Sequence, residues 1–124
     1  MIVVYHPQLT GVADVNVRIK AYNATGELTT REPLTLGTRV LLTCNVTGLP
    51  EDSEVVSYRW FHSLTGDTQG RYQIQDSNPY YRVVKDTLLI DVTSWDQGGK
   101  YTCFVSFSNA PQSSGSIAII TIEG

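Results

Sequence analysis

At 124 residues the chain is long enough for one domain with its own core and too short for two ordinary domains and a linker. Hydrophobic residues make up 41% and charged residues 17%, which excludes a disordered segment. The net charge of -3, without a run of Lys or Arg, leaves no electrostatic footprint for nucleic acid or direct contact with an anionic membrane. No apolar run approaches the roughly 20 residues of a membrane helix.

Residues 1–12, with His6-Pro7, read as an N-terminal linker or extension, and residues 13–124 as the domain. Met1-Ile2-Val3-Val4 lacks the basic leader and small-residue cleavage site of a signal peptide, so the chain reads as a segment of a longer protein. From Asp14 to Tyr22, Val15, Val17, Ile19 and Ala21 alternate with Asn16, Arg18 and Lys20, the pattern of a half-buried edge strand. A polar stretch follows, then a strong strand from Thr38 to Thr47 with Val40, Leu42, Cys44 and Val46 on one face. Gly48 to Asp52 is a turn. Val55 to Ser63 comes next, with Tyr58, Trp60 and His62 on one face and Arg59 and Phe61 on the other. Arg71 to Gln75 is a short strand. Tyr80 to Val84 and Thr87 to Thr93 form a hairpin around Lys85-Asp86, and Lys100 to Ser108 and Ser116 to Glu123 form the last pair. No 3.6-residue period is sustained, so the fold class is all-β, a two-sheet sandwich or a small barrel.

The two cysteines, Cys44 and Cys103, are far apart in sequence. With no CxxC pair and no clustered His, zinc-ligand spacing is absent, which leaves a disulfide or two free core thiols and favours the disulfide. Closing so long a loop stabilises the fold by about 4 kcal/mol on the chain-entropy model and implies an oxidising compartment.

Cys44, then Tyr58-Arg59-Trp60-Phe61, then Asp96-Gln97-Gly98-Gly99-Lys100-Tyr101-Thr102-Cys103 stand in an order that resembles the immunoglobulin superfamily. The resemblance implies a Greek-key sandwich whose Cys44–Cys103 disulfide joins the sheets, with Trp60 packed on the sulfurs and Tyr101 as the tyrosine corner. Asp96 is expected in the structural core beside them. The family spacing is Asp-x-Gly-x-Tyr-x-Cys, and Asp96 stands one residue early, as though a glycine had been inserted before Lys100. A bulge or longer turn is expected to absorb it, with Arg82 or Arg71 as the aspartate's salt-bridge partner. The span between the cysteines implies an intermediate V- or I-like set with a C′ strand, as in ectodomains of adhesion receptors and receptor tyrosine kinases.

Asn23-Ala24-Thr25 and Asn45-Val46-Thr47 are N-glycosylation sequons, and glycans there mask the sheet bearing strand B. Binding is then pushed to the other sheet, where Phe61 and Phe104 point outward by alternation and Tyr72 or Ile74 from C′ extends the patch. The expected partner is a protein ligand or a second copy of the chain, met through the C–F–G–C′ face. A structural spacer, or a secreted immune domain binding through loops such as Asn109 to Ser114, is the alternative. Tyr80-Tyr81 is a secondary contact candidate. Asp76, Asp86, Asp91 and Asp96 lack calcium-loop spacing, so no metal or cofactor is expected. His62 reads as a core histidine and no nucleophile elbow, phosphate loop or HExxH is present, so no enzyme is expected in this domain, whereas an intracellular kinase elsewhere in the parent chain remains compatible. The domain is placed outside the cell, at the surface or secreted.

Overall fold

Alternating β-rich segments build two five-stranded sheets. The computed structural model describes residues 2–5, 15–28, 33–49, 51, 53–63, 72–75, 79–108 and 114–123. In chain order the strands are β1 (Ile2–Tyr5), β2 (Asn16–Asn23), β3 (Gly26–Glu27), β4 (Leu34–Thr35), β5 (Arg39–Thr47) and β6 (Val55–Ser63). They continue as β7 (Tyr72–Gln73), β8 (Tyr81–Val84), β9 (Thr87–Asp91), β10 (Gly99–Phe107), β11 (Ser114–Ile120) and β12 (Ile122–Glu123), with a 3-10 turn at Trp95–Gln97. One sheet runs β1-β11-β10-β6-β7 and the other β3-β2-β5-β9-β8, while β12 and β4 form a short parallel pair. The family's strands B, C, C′, F and G are therefore β5, β6, β7, β10 and β11.

Buried residues alternate with exposed or half-buried ones along β2, β5 and β9, so each strand gives one row to the space between the sheets. Ile19, Leu42, Leu88 and Ile90 from one sheet meet Trp60, Tyr101, Val105 and Ala118 from the other in a single core. Cys44 and Cys103 bridge that core, as expected, with Cα atoms 6.4 Å apart. In register, Cys103 stands opposite Trp60 on β6, so the indole and the disulfide share one level of the core.

Two regions depart from the sequence expectation. Ile2 to Tyr5, within the stretch expected to be a linker or extension, pairs antiparallel with β11, Ile2 opposite Ile120 and Tyr5 opposite Ile117. This pairing covers backbone that is otherwise an open sheet edge. The second departure is the approach to Cys103. The ladder is regular from Gly99 to Val105 against β11 and from Lys100 to Ser106 against β6, its register shift falling only at Ser106/Phe107, so neither an inserted glycine nor a Gly-Gly bulge is present.

Candidate functional site

Side chains on β6 and β10 sort into two aromatic groups by parity. The inward group contains Trp60, His62 and Tyr101, all buried, joined by Tyr81 from the opposite sheet. Tyr101 donates its hydroxyl hydrogen to the backbone oxygen of Gln97 at 2.5 Å, the expected tyrosine corner. That hydrogen is then used, so Tyr81 is the donor across the 2.9 Å contact between the two hydroxyls. His62 stacks on Tyr101 with centroids 4.5 Å apart, and its Nε2–H donates to the Gly98 oxygen at 2.9 Å. Burial pushes the imidazole pKa down, with the Gly98 hydrogen bond opposing it, so the ring is held neutral as a structural group and not presented as a base. Among the described residues, Trp60 Nε1 is the one buried side-chain polar atom without a hydrogen bond.

The 3-10 turn explains the shifted aspartate. Ser94 caps it, and Gln97 reaches back so that its Oε1 accepts from the Thr93 and Ser94 backbone N–H groups at 2.6 and 2.9 Å. Its Nε2 donates to the Asp91 oxygen at 2.5 Å. Gln97, and not Asp96, therefore holds the place of the family's aspartate, and Gln97-Gly98-Gly99-Lys100-Tyr101-Thr102-Cys103 keeps the family spacing without an insertion. Gly99 supplies the φ of +124° that this position requires. Asp96, expected in the structural core, is exposed, and Arg82 is exposed as well. Among the described residues the ion pair is instead Arg39–Asp91 at 2.8 Å, with the Arg39 side chain largely in solvent and Asp91 half-exposed. Arg71 lies outside the described residues. A neutral amide does here what a buried charge pair was expected to do, at a smaller desolvation cost.

The outward group is the candidate site. Phe61 and Phe104 meet edge to face, with centroids 5.5 Å apart at 82°. Each is half-buried. Phe104 stands opposite Gly115 of β11, and a Cβ built on that glycine falls 3.1 Å from the Phe104 ring, so the ring lies over the glycine backbone. Thr102, between Phe61 and Ile117 in register, is buried, and Ile117 and Ile119 are half-buried. Arg59, opposite Phe104, and Lys100 are exposed. An apolar centre with polar, charged margins is the anatomy of a protein-binding patch.

Strand β7 corrects the expected edge of that patch. Tyr72 stands opposite His62 and Gln73 opposite Phe61, so the C′ residue in the Phe61 row is the exposed Gln73 and not Tyr72. Ile74 is buried in the core. The pair Tyr80-Tyr81 also divides, Tyr80 lying exposed while Tyr81 is a core residue. The loop from Asn109 to Ser113 and Asp76 lie outside the described residues.

On the opposite sheet, a cavity of about 590 Å³ is bordered by Tyr22, Leu28, Leu34, Arg39, Leu41 and Leu89. It escaped the sequence reading because Leu41 and Leu89 come together only through the β5–β9 register. The lining is mainly apolar, without a pair of acid–base groups for chemistry. Among the described residues no three His, Cys, Asp or Glu side chains gather as a metal site, and no helix is long and apolar enough to cross a membrane.

Comparison with known proteins addresses the fold. A chain from work on the structural basis for Dscam isoform specificity is 23% identical, with a TM-score of 0.55 over 83% of this chain and 24% of that one. The N-terminal eight Ig domains of Down Syndrome Cell Adhesion Molecule isoform 1.30.30 give 22% identity and a TM-score of 0.57, covering 73% of this chain and 11% of that chain. The N-terminal four Ig domains of Dscam1 isoform 1.9 give 20% and 0.53, over 84% and 25%. This chain thus spans a quarter or less of the length of those solved chains, and the likeness is one of fold. No curated protein matches it in sequence. The immunoglobulin domain family model matches residues 31–116, which takes in the disulfide, Trp60 and the tyrosine corner. With that match and the two-sheet sandwich, the chain belongs to the immunoglobulin domain family.

Proposed function

We propose that this domain is an extracellular recognition module that binds a protein partner through the outer face of β6, β10 and β11, with Phe61 and Phe104 at its centre. The observation that carries this reading is the edge-to-face phenylalanine pair, half-buried on a sheet face whose inner side already holds a complete aromatic core. Such residues add little to the core and supply apolar area to a contact. The disulfide supports an oxidising, extracellular setting. The fold neighbours include a protein named as a cell adhesion molecule, which supports adhesion-type pairing and makes a second copy of this chain the first partner to test. An ectodomain of a cell-surface receptor is the setting implied. A receptor tyrosine kinase as parent rests on the sequence resemblance alone.

Sedimentation of the oxidised domain over a wide concentration range, beside Phe61→Asp and Phe104→Asp, tests the reading. Self-association lost in folded variants supports it, and unchanged association in both overturns the proposed face. A spacer role is a second reading with its own observation. Trp95 is 57% exposed in the 3-10 turn and Leu36 38% exposed in the β4–β5 turn, and β12 runs against both the 3-10 turn and β4. A Trp95→Ser change that loosens packing against an adjoining module in a longer chain, with the phenylalanine variants silent, favours the spacer.

A further inference from the structure

The two sequons, alike in sequence, differ in structure. We infer that Asn23 is the N-glycosylated residue of this domain and that Asn45 is left unmodified.

Asn23 ends β2 in an exposed position, and Ala24-Thr25 forms the turn that returns the chain to β3, with Asn23 opposite Gly26. The Asn23 Oδ1 accepts two hydrogen bonds, from the Thr25 backbone N–H at 2.9 Å and from the Thr25 hydroxyl at 2.6 Å. Both bonds end on the oxygen. The amide nitrogen Nδ2 of this exposed residue has no acceptor among the described residues, while the two hydrogen bonds on the oxygen make its N–H groups more acidic. The turn is also local. Its bonds span three residues, so the turn needs no contact from another strand.

Asn45 has none of these features. It lies inside β5, half-buried, opposite Arg18 of β2. Its Nδ2 is engaged, donating to the Thr43 hydroxyl at 3.0 Å. No bond joins Asn45 to the sequon threonine Thr47 among the described residues, because extended backbone carries the two side chains along the strand without a turn to bring them together.

The reaction is a group transfer from a lipid-diphosphate-linked oligosaccharide that begins with N-acetylhexosamine. The Asn23 Nδ2 forms a bond to the anomeric carbon and gives one proton to a base of the transferase. The bond from that carbon to the diphosphate oxygen breaks, and its electron pair leaves on the lipid diphosphate. Both hydrogen bonds to Oδ1 survive, since neither uses Nδ2. Asn23 and Thr25 also stand on the rim of the cavity bordered by Tyr22, Leu28 and Leu41. A glycan there covers that apolar lining. It lies on the sheet opposite Phe61 and Phe104 and leaves their face open.

The test is secretion of the full chain, behind a removable leader, from a glycosylating eukaryotic cell. Intact mass is measured before and after an amidase that converts the modified asparagine to aspartate. One glycan is expected, with aspartate at position 23 after release. It is lost in Asn23→Gln and in Thr25→Ala, and kept in Thr25→Ser and Asn45→Gln. If either loss variant is not secreted, the site of conversion in the parent protein decides. A secreted chain without sugar, a glycan that persists in Asn23→Gln, or aspartate at position 45 overturns the assignment.

Discussion

Trp60 and Phe61 are neighbours on one strand, and Cys103 and Phe104 on another, yet one member of each pair belongs to the fold and the other to the surface. The inner row is closed but for the Trp60 indole N–H. Tyr101, Tyr81, His62 and Gln97 use their polar atoms on one another or on backbone, and the disulfide locks the layer. The outer row holds rings of similar size packed on each other and on the Gly115 backbone, with charged Arg59 and Lys100 nearby and exposed. Adjacent residues on one strand thus do different work, and strand parity decides which.

The sharpest way to break this distinction is to remove an aromatic from the inner row. Trp60→Ala is expected to cost about 3–5 kcal/mol in chemical denaturation, from lost burial plus the cavity left behind. Trp60→Phe costs less, because it also removes the unpaired indole N–H. Tyr101→Phe deletes one hydroxyl and strands two partners, the Gln97 oxygen and the Tyr81 hydroxyl, for about 1–3 kcal/mol. Combining it with Tyr81→Phe is expected to cost less than the sum of the single changes, since one shared bond is counted twice.

Acid probes the inner row more gently. His62 has an ordinary pKa of 6.5, and burial lowers it in the folded chain. Below that value the unfolded chain takes up a proton that the folded chain refuses. Stability is therefore full above pH 6.5 and falls as pH drops from 6.5 towards the lowered value. Melting temperatures across this window are expected to decline in the parent, and less so in His62→Phe. The smallest effect expected is that of Asp96→Ala, within about 0.5 kcal/mol, as an exposed residue outside the core network. A loss of several kcal/mol there contradicts the assignment of Gln97 to the buried role.

Much of this was legible in the sequence, for identifiable reasons. Alternation in Val55 to Ser63 and Thr38 to Thr47 reproduces β6 and β5 within a residue, because each has one buried face. The disulfide, Trp60 and Tyr101 follow from the resemblance. What failed was anything fixed by register between strands. Tyr72 and Gln73 differ by one position, and only pairing with β6 decides which stands beside Phe61. Strand β1 has four apolar residues and no alternation, and its pairing with β11 is a long-range event without local signal. Residue type alone points to Asp96, whereas Gln97 holds the position through a capping box that tolerates an amide in place of a charge.

The central claim is that the outer phenylalanine face recognises protein while the inner row holds the fold. Sedimentation velocity of the oxidised parent, Phe61→Asp and Phe104→Asp, paired with far-UV spectra, tests it most directly. The account predicts concentration-dependent association of the parent and folded, monomeric variants. Variants that associate as the parent does contradict the face, and a parent that stays monomeric at every concentration contradicts self-recognition through it.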